Sequence, residues 1–145
     1  MKRLWVLSLF FLCGCGAKTS PVYFPGGYKI NAELAVTEEQ AERGLMDRYK
    51  LAPDHGMLFI FDKEDLRTFW MKDTFISLDI IFLNADGQVN CIFDSVKEST
   101  PFTEYGDIAR VSCPDSKYVL ETAAGVAKAQ GLKKGAQLKF DYEKV

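Results

Sequence analysis

The chain has 145 residues, 18 Lys and Arg against 20 Asp and Glu, and a formal net charge of −2. One domain of this size can bury a core of its own. The acidic excess argues against nucleic acid or an anionic membrane surface as a partner, since both favour a basic face.

The first fourteen residues follow the order of a secretory signal. Met1-Lys2-Arg3 is positive, residues 4–12 form an apolar run broken only by Ser8, and small residues follow at Gly14, Gly16 and Ala17. This apolar run is too short for a membrane-spanning helix, which needs roughly 20 residues. The sequence therefore predicts export.

The end of this segment, Leu12-Cys13-Gly14-Cys15, is similar to the lipobox of bacterial lipoproteins. The resemblance implies that residues 1–14 are a lipoprotein signal peptide and that Cys15 carries the lipid. Two or three acyl chains, at about 0.8 kcal/mol per buried methylene, would hold the protein on a membrane. We expect an exported, membrane-anchored lipoprotein; if the cell is Gram-negative, its location is the periplasmic face or the outer membrane. The alternative is cleavage after Ala17, which leaves a soluble periplasmic protein.

Loss of the signal removes Lys2 and Arg3 and leaves 16 basic against 20 acidic residues, a net charge of −4. Residues 15–27 are predicted to be a lipidated tether, because residues 18–27 are rich in Thr, Ser, Pro and Gly. Residues 28–145 are predicted to form a single domain.

Only Cys91 and Cys113 remain in the predicted domain. In an oxidising compartment they can form a disulfide, and the loop of about 22 residues would be worth roughly 3 kcal/mol. The alternative is two buried free thiols. No metal site is predicted, because two cysteines and the lone His55 do not complete a tetrahedral set. No cofactor is predicted.

The first predicted elements are a half-buried strand, a short helix and two further strands. Alternating apolar residues indicate a strand at residues 28–36. Thr37-Glu38-Glu39-Gln40 has the arrangement of a capping box, which predicts a helix from about residue 38 to 46. Residues 57–61 are apolar on both faces of a predicted strand, and residues 68–71 form another short strand.

Asn84-Ala85-Asp86-Gly87 predicts a hairpin turn between strands at residues 78–83 and 88–94. In the second strand of this hairpin the alternation places Cys91 inward. The remaining predictions are an irregular stretch at 95–117, a strand at 118–122, a short helix at 125–130 and a last strand at 138–142.

About seven short strands with one or two short helices predict a mainly β (α+β) fold, a compact antiparallel barrel or sandwich. A parallel sheet would need longer crossover helices.

Four ordered motifs resemble the DUF192 family, also called UPF0127. They are Arg43-Gly44-Leu45-Met46 with Arg48, Gly56-Met57-Leu58-Phe59 with Phe61, Phe69-Trp70-Met71-Lys72-Asp73-Thr74 with Leu78-Asp79-Ile80-Ile81-Phe82, and Tyr118-Val119-Leu120-Glu121 with Ala124-Gly125. The resemblance runs from about residue 32 to 138. It implies a small, mainly β fold, often exported or lipid-anchored, and it implies no reaction. Asp73 stands where the family usually has Asn, which affects a turn or a ligand contact.

The ligand-binding candidates are Arg48, Trp70, Lys72 and Asp79. Asp79 lies in an otherwise apolar strand and needs a partner, since an unpaired buried charge costs several kcal/mol. In one interpretation Asp79 accepts hydrogen bonds from a loop or pairs with an arginine to hold the fold. In the other, Trp70 is a stacking surface and Asp79 with Lys72 or Arg48 fixes a polar ligand.

Two functions are carried forward from the sequence. The leading hypothesis is a non-enzymatic binding or interaction module of the cell envelope, with a Trp70-centred cleft for a glycan, peptide or partner protein. The alternative is a hydrolase acting on envelope glycan or peptide polymers, with Asp79 and Glu121 as a carboxylate pair. No signature of a serine hydrolase, phosphate loop or zinc protease is present in the sequence. A purely structural role would predict a cleft filled by its own side chains.

Overall fold

The structure is a computed structural model and describes residues 17–142. The predicted signal peptide and Cys15 lie outside this range. The strands are β1 (Thr19–Tyr23), β2 (Lys29–Ala35), β3 (His55–Trp70), β4 (Leu78–Leu83), β5 (Val89–Val96), β6 (Arg110–Ala123) and β7 (Lys139–Phe140). The helices are α1 (Glu38–Arg43) and α2 (Val126–Ala129), and one 3₁₀ turn spans Tyr105–Asp107. Within residues 17–142, no helix has the length and apolar character needed to cross a bilayer.

All seven strands form one sheet in the order β5-β4-β6-β3-β2-β1-β7. The sheet curls into a half-barrel, so the predicted mainly β fold is confirmed. Neighbouring strands are antiparallel except β2 and β3, which are parallel and are connected through α1. That connection is long enough for a crossover with a one- to two-turn helix, which explains why the antiparallel expectation failed for this pair.

Alternation along the strands distributes the apolar side chains over both faces of the sheet. We name the faces after two neighbours in β6, Leu120 and Val119. The Leu120 face includes the buried side chains of Ile30, Ala32, Leu58, Ile60, Ile81, Leu83 and Tyr118. The Val119 face includes those of Met57, Phe59, Leu78, Ile80 and Phe82. The central strands are buried on both sides, as expected for residues 57–61.

The prediction of a tether at residues 18–27 is wrong for its central part. Thr19–Tyr23 is strand β1, which lies between β2 and β7. Ser20, Val22 and Phe24 are buried in alternation. The two prolines and the small polar residues concealed this short alternation, and pairing with β2 determines the strand.

Where the sequence predicted two short strands, at residues 57–61 and 68–71, the structure has one long strand. β3 is one strand of 16 residues, and β6 begins at Arg110, within the stretch predicted to be irregular. We call residues 61–70 of β3 and 110–116 of β6 the arm. Register shifts between Ile60 and Arg67 bend β3 at the base of the arm. Phe69 then packs on Phe59 and Phe82, at centroid distances of 4.8 and 5.8 Å, so the arm folds over the Val119 face.

Helix α1 begins with the predicted capping box. Thr37 Oγ1 accepts from the Gln40 backbone N–H at 3.2 Å, and the Thr37 N–H donates to Gln40 Oε1 at 3.1 Å. The helix ends at Arg43, three residues before the predicted end at Met46. Gly44 follows with φ +47°, a left-handed value at which the helix cannot continue.

The hairpin β4–β5 and the disulfide agree with the sequence prediction. Cys91 in β5 and Cys113 in the arm form a disulfide with a Cα–Cα distance of 6.2 Å and a sequence separation of 22. The bridge ties the arm to an outer strand of the sheet. Helix α2 and strand β7 lie where they were predicted and are shorter than predicted.

We expect the disulfide to supply a large part of the arm's stability. The double substitution Cys91→Ala with Cys113→Ala lowers the free energy of unfolding by about 3 kcal/mol, because the unfolded chain loses its loop constraint. Urea unfolding followed by circular dichroism measures the change. Dithiothreitol should destabilise the wild type and leave the double variant unchanged. Equal stability of the oxidised and reduced wild type would contradict the prediction.

Candidate functional site

A pocket of about 690 Å³ lies between α1, the loop that follows it and the arm. This volume is in the range of small-molecule sites. Its lining consists of residues 36–38, 41–46, 59–63 and 66–70 together with Thr74 and Glu121. The pocket exists because the arm folds back over the Val119 face and leaves a gap toward α1.

Glu121 is the buried acidic group of this pocket. It lies in β6 opposite Met57 of β3 and is 5% exposed. Its Oε2 atom is buried and has no hydrogen-bond partner among residues 17–142. Burial raises the pKa of Glu121 to about 8, and the nearby charge of Arg48 lowers it by a smaller amount. Glu121 is therefore mostly protonated at pH 7.

Gly44 leaves space in front of this carboxyl group. A Cβ atom at Gly44 would lie 3.4 Å from Phe59 Cζ and 3.9 Å from Glu121 Oε2. The left-handed φ of +47° also disfavours any other residue. The end of α1 therefore lies directly beside the Glu121 carboxyl group.

Aromatic side chains form the wall beneath the arm. Phe69 packs edge-to-face on Phe59 and on Phe61, at 4.8 and 6.4 Å between ring centroids. The Arg67 guanidinium lies 4.0 Å from the centroid of Phe61. It also donates to the Lys63 carbonyl oxygen at 2.8 Å and to the Ser116 carbonyl oxygen at 3.3 Å. Arg67 is therefore held by the arm itself.

Among the predicted ligand-binding residues, Trp70 lines the pocket, whereas Arg48, Lys72 and Asp79 do not. Arg48 makes a bidentate ion pair with Glu33, at 2.5 and 2.7 Å. The hydrogen bond from Arg48 lowers the pKa of Glu33. The guanidinium of Arg48 is thus engaged with β2 and is not directed at a ligand.

Trp70 lies at the end of β3 with two cations near its ring. Lys72 Nζ is 5.3 Å and Arg110 Cζ 5.4 Å from the ring, and Tyr105 packs edge-to-face at 6.1 Å. Asp73, the position at which the resemblance implies Asn, has φ 49°. Asn and Asp tolerate this left-handed conformation better than most residues, so the position is a turn.

Asp79 is fully buried and lies away from the pocket. Its Oδ1 accepts from the backbone N–H groups of Ser95 and Gly125, at 2.8 and 3.0 Å, and its Oδ2 accepts from Ala127 N–H at 2.8 Å. This agrees with the interpretation in which Asp79 accepts hydrogen bonds from a loop, and the partners are backbone groups, not an arginine. The carboxylate joins β5 and the start of α2 to β4.

The expected carboxylate pair of Asp79 and Glu121 is wrong. Asp79 pairs with Thr122 across the β4–β6 ladder, and Ile80 pairs with Glu121. Directly opposed residues point to the same side of a sheet, and consecutive residues point to opposite sides. Asp79 therefore points to the Leu120 face and Glu121 to the Val119 face.

The sequence interpretation missed that Glu121 lies apart from Asp79, on the other face of the sheet. The signal for a buried acid was available in the sequence, because Glu121 directly follows the apolar residues Tyr118-Val119-Leu120. The charged residues 62–67 gave no indication that this segment lines a pocket. No group of three or more His, Cys, Asp or Glu side chains able to hold a metal comes together in the described part of the chain.

Comparison with known proteins identifies relatives over almost the whole described chain. The model of the DUF192 family, described as Uncharacterized ACR, matches residues 22–140. A protein of Sinorhizobium meliloti 1021, described as a candidate transcription regulator, is 34% identical with a TM-score of 0.74, over 86% of this chain and 95% of that one. A protein of unknown function from Novosphingobium aromaticivorans DSM 12444 is 31% identical with a TM-score of 0.72, over 88% of each chain. No curated protein matches the chain.

The buried acid predicts a measurable pH dependence of stability. Unfolding frees the Glu121 carboxyl, so its pKa falls from about 8 to near its ordinary 4.5. Between these values the folded state holds a proton that the unfolded state releases, so this group's contribution to stability falls as pH rises. Glu121→Gln removes the effect. The free energy of unfolding of the variant relative to the wild type should therefore increase by a few kcal/mol from pH 5 to pH 9.

Urea unfolding at several pH values measures this difference, and all other titrating groups cancel in it. Glu42→Gln on the exposed side of α1 is the matched control, and its profile should run parallel to that of the wild type. A Glu121→Gln profile parallel to the wild type would contradict the burial of an ionisable group at this position.

Proposed function

The chain belongs to the DUF192 family, and we propose that it is a lipid-anchored, non-enzymatic binding module of the bacterial cell envelope that takes up a small ligand at Glu121. The description of the family names no reaction. The proposal therefore depends on the pocket and on the lipobox-like motif Leu12-Cys13-Gly14-Cys15.

One observation carries the binding function: Glu121 Oε2 is buried at the pocket and has no partner among residues 17–142. Most buried polar atoms in folded proteins are hydrogen-bonded, and leaving one without a partner costs about 1–3 kcal/mol. A ligand that reaches Glu121 Oε2 from the pocket would provide the missing partner. The aromatic wall would contact the rest of such a ligand.

Binding is favoured over hydrolysis because the hydrolase hypothesis required two carboxyl groups that face one cleft and flank the scissile bond. Asp79 is directed to the opposite face of the sheet and is saturated by backbone donors. A role on nucleic acid is not carried over from the relative described as a transcription regulator, because the mature chain would carry a net charge of −4.

The anchor at Cys15 would hold the pocket close to the membrane. Cys15 precedes Lys18 by three residues, a span of at most about 10 Å at 3.3–3.6 Å per residue. The Lys18 carbonyl oxygen accepts from Leu34 N–H at 2.8 Å. Val36 and Thr37, which follow at the end of β2, are part of the pocket lining. The chain therefore enters the domain beside one edge of the pocket.

Lipidation is tested by fractionation and mass spectrometry. The wild type should sediment with membranes, and its mature N-terminus should be a diacylglyceryl cysteine at position 15. Cys15→Ser should move the protein into the soluble fraction. Cys13→Ser is the control and should remain membrane-bound. A wild-type N-terminus at Lys18 without lipid would show cleavage after Ala17 and would contradict the anchor.

Ligand uptake is tested on the protein as purified from its own membranes. Native mass spectrometry of the wild type should show a bound small molecule that Glu121→Met loses, since methionine keeps the bulk and removes the carboxyl. Asp86→Asn, in the exposed hairpin turn, should retain it. Wild type without any adduct, together with no stabilisation by a small-molecule library in thermal unfolding, would contradict the binding function.

A further inference from the structure

We infer that the ligand of this pocket carries a protonated aliphatic amine on an apolar body, with the ammonium group placed at Glu121 Oε2. The inference rests on the proposed binding function and specifies the chemical class of its ligand.

The first argument is that the carboxyl group at the buried end of the pocket has no cation in contact with it among the described residues. The positive charge that acts on Glu121 is that of Arg48, which lowers the pKa of Glu121. However, Arg48 is held in the bidentate pair with Glu33, at 2.5 and 2.7 Å, and does not line the pocket. Glu121 thus has no ion-pair partner among the described residues. An ammonium group would supply the counter-charge and a donor for Oε2 in one contact.

The second argument is that the other charged side chains of the lining do not supply this cation. Lys63 Nζ lies 3.4 Å from Asp65 Oδ2, and Arg67 is held on Phe61 and by two backbone carbonyls. Arg43 is exposed at the end of α1. The acidic members of the lining are Glu38, Glu42 and Asp62 in addition to Glu121. An entering ammonium therefore meets carboxylates at the rim as well as at the buried end.

The third argument is the chemistry of the wall. Phe59, Phe61 and Phe69 form a continuous aromatic cluster, and Phe61 already accommodates a guanidinium at 4.0 Å. Aromatic rings stabilise a desolvated cation and also contact methylene groups. A carboxylate ligand would instead add a further acidic group to a lining that already contains Glu38, Glu42 and Glu121, so carboxylates are disfavoured.

A series of six-carbon probes tests the inference. After loss of residues 1–14, Trp70 is the only tryptophan of the chain and lines the pocket, so its fluorescence reports binding. The mature protein in an amine-free neutral detergent is titrated with n-hexylamine, 1-hexanol and hexanoate at pH 7. Hexylamine should bind at least tenfold more tightly than hexanol, and hexanoate should bind more weakly than both.

Variants show whether a probe binds through a charge contact with Glu121 or only fills the pocket. Glu121→Gln should weaken hexylamine binding at least tenfold and change hexanol binding less than twofold. Glu39→Gln, at an exposed position of α1 outside the pocket lining, should leave both unchanged. Below pH 8 hexylamine affinity should rise with pH, by up to about tenfold per pH unit, because binding requires Glu121 to release its proton. Hexanol affinity should not rise.

An experiment with lipid vesicles distinguishes two sources of the amine, a lipid headgroup and a free small molecule. Phosphatidylcholine vesicles with and without phosphatidylethanolamine replace the detergent. A Trp70 response that requires phosphatidylethanolamine supports a headgroup amine, and a response to hexylamine in both vesicle types supports a free amine.

The inference is overturned if hexanol binds as tightly as hexylamine, or if Glu121→Gln leaves hexylamine binding unchanged. It is also overturned if the native adduct lost in Glu121→Met contains no amine. In these cases the proposed binding function survives. Absence of both a native adduct and binding of any probe would remove the two proposals together.

Discussion

The pairing of β3 with β6 is the interaction on which the rest of the structure depends. These two long strands provide the centre of the sheet, and their far ends form the arm that covers the Val119 face. The pairing requires Gly56, because a Cβ there would lie 2.4 Å from the Glu121 carbonyl oxygen. No side chain can be accommodated at that distance without moving the backbone. The same close approach that builds the sheet therefore also sets the position of Glu121 beside α1 and the arm.

Two buried carboxyl groups on opposite faces of the sheet have different surroundings. Asp79 and Glu121 lie on neighbouring strands, one residue out of register, and therefore on opposite faces. Asp79 meets three backbone N–H groups where β5 and α2 approach β4, so that both of its buried oxygens have hydrogen-bond partners. Glu121 meets apolar neighbours and a pocket, and its pKa rises accordingly. The first carboxyl group connects three elements of the fold, whereas the second has an oxygen without a hydrogen-bond partner among the described residues, and our proposal assigns this oxygen to a ligand.

The position of β1 links the pocket to the N-terminal motif. Because β1 runs antiparallel to β2, its start lies next to the end of β2, from which the chain continues into α1. A lipid at Cys15 would act on this end of the domain through only a few residues. The lipid-anchor proposal thus has a geometric consequence for the binding proposal, since a ligand would reach the pocket at the surface of the bilayer.

Local patterns in the chain were enough for the capping box of α1, the β4–β5 hairpin, the Cys91–Cys113 pairing and the mainly β fold class. Each of these depends on neighbouring residues or on alternation within one element, which a linear sequence displays directly. Strand β1, the continuity of β3 through residues 62–67 and the start of β6 at Arg110 were not evident, because pairing with distant strands stabilises them against weak local preference. The candidate site followed the same rule. Trp70 and Glu121 could be singled out from their residue types. Strand register decides that Asp79 points away from Glu121, and the tertiary structure pairs Arg48 with Glu33 and places Gly44 beside the Glu121 carboxyl group. These contacts join residues far apart along the chain, which local patterns do not display.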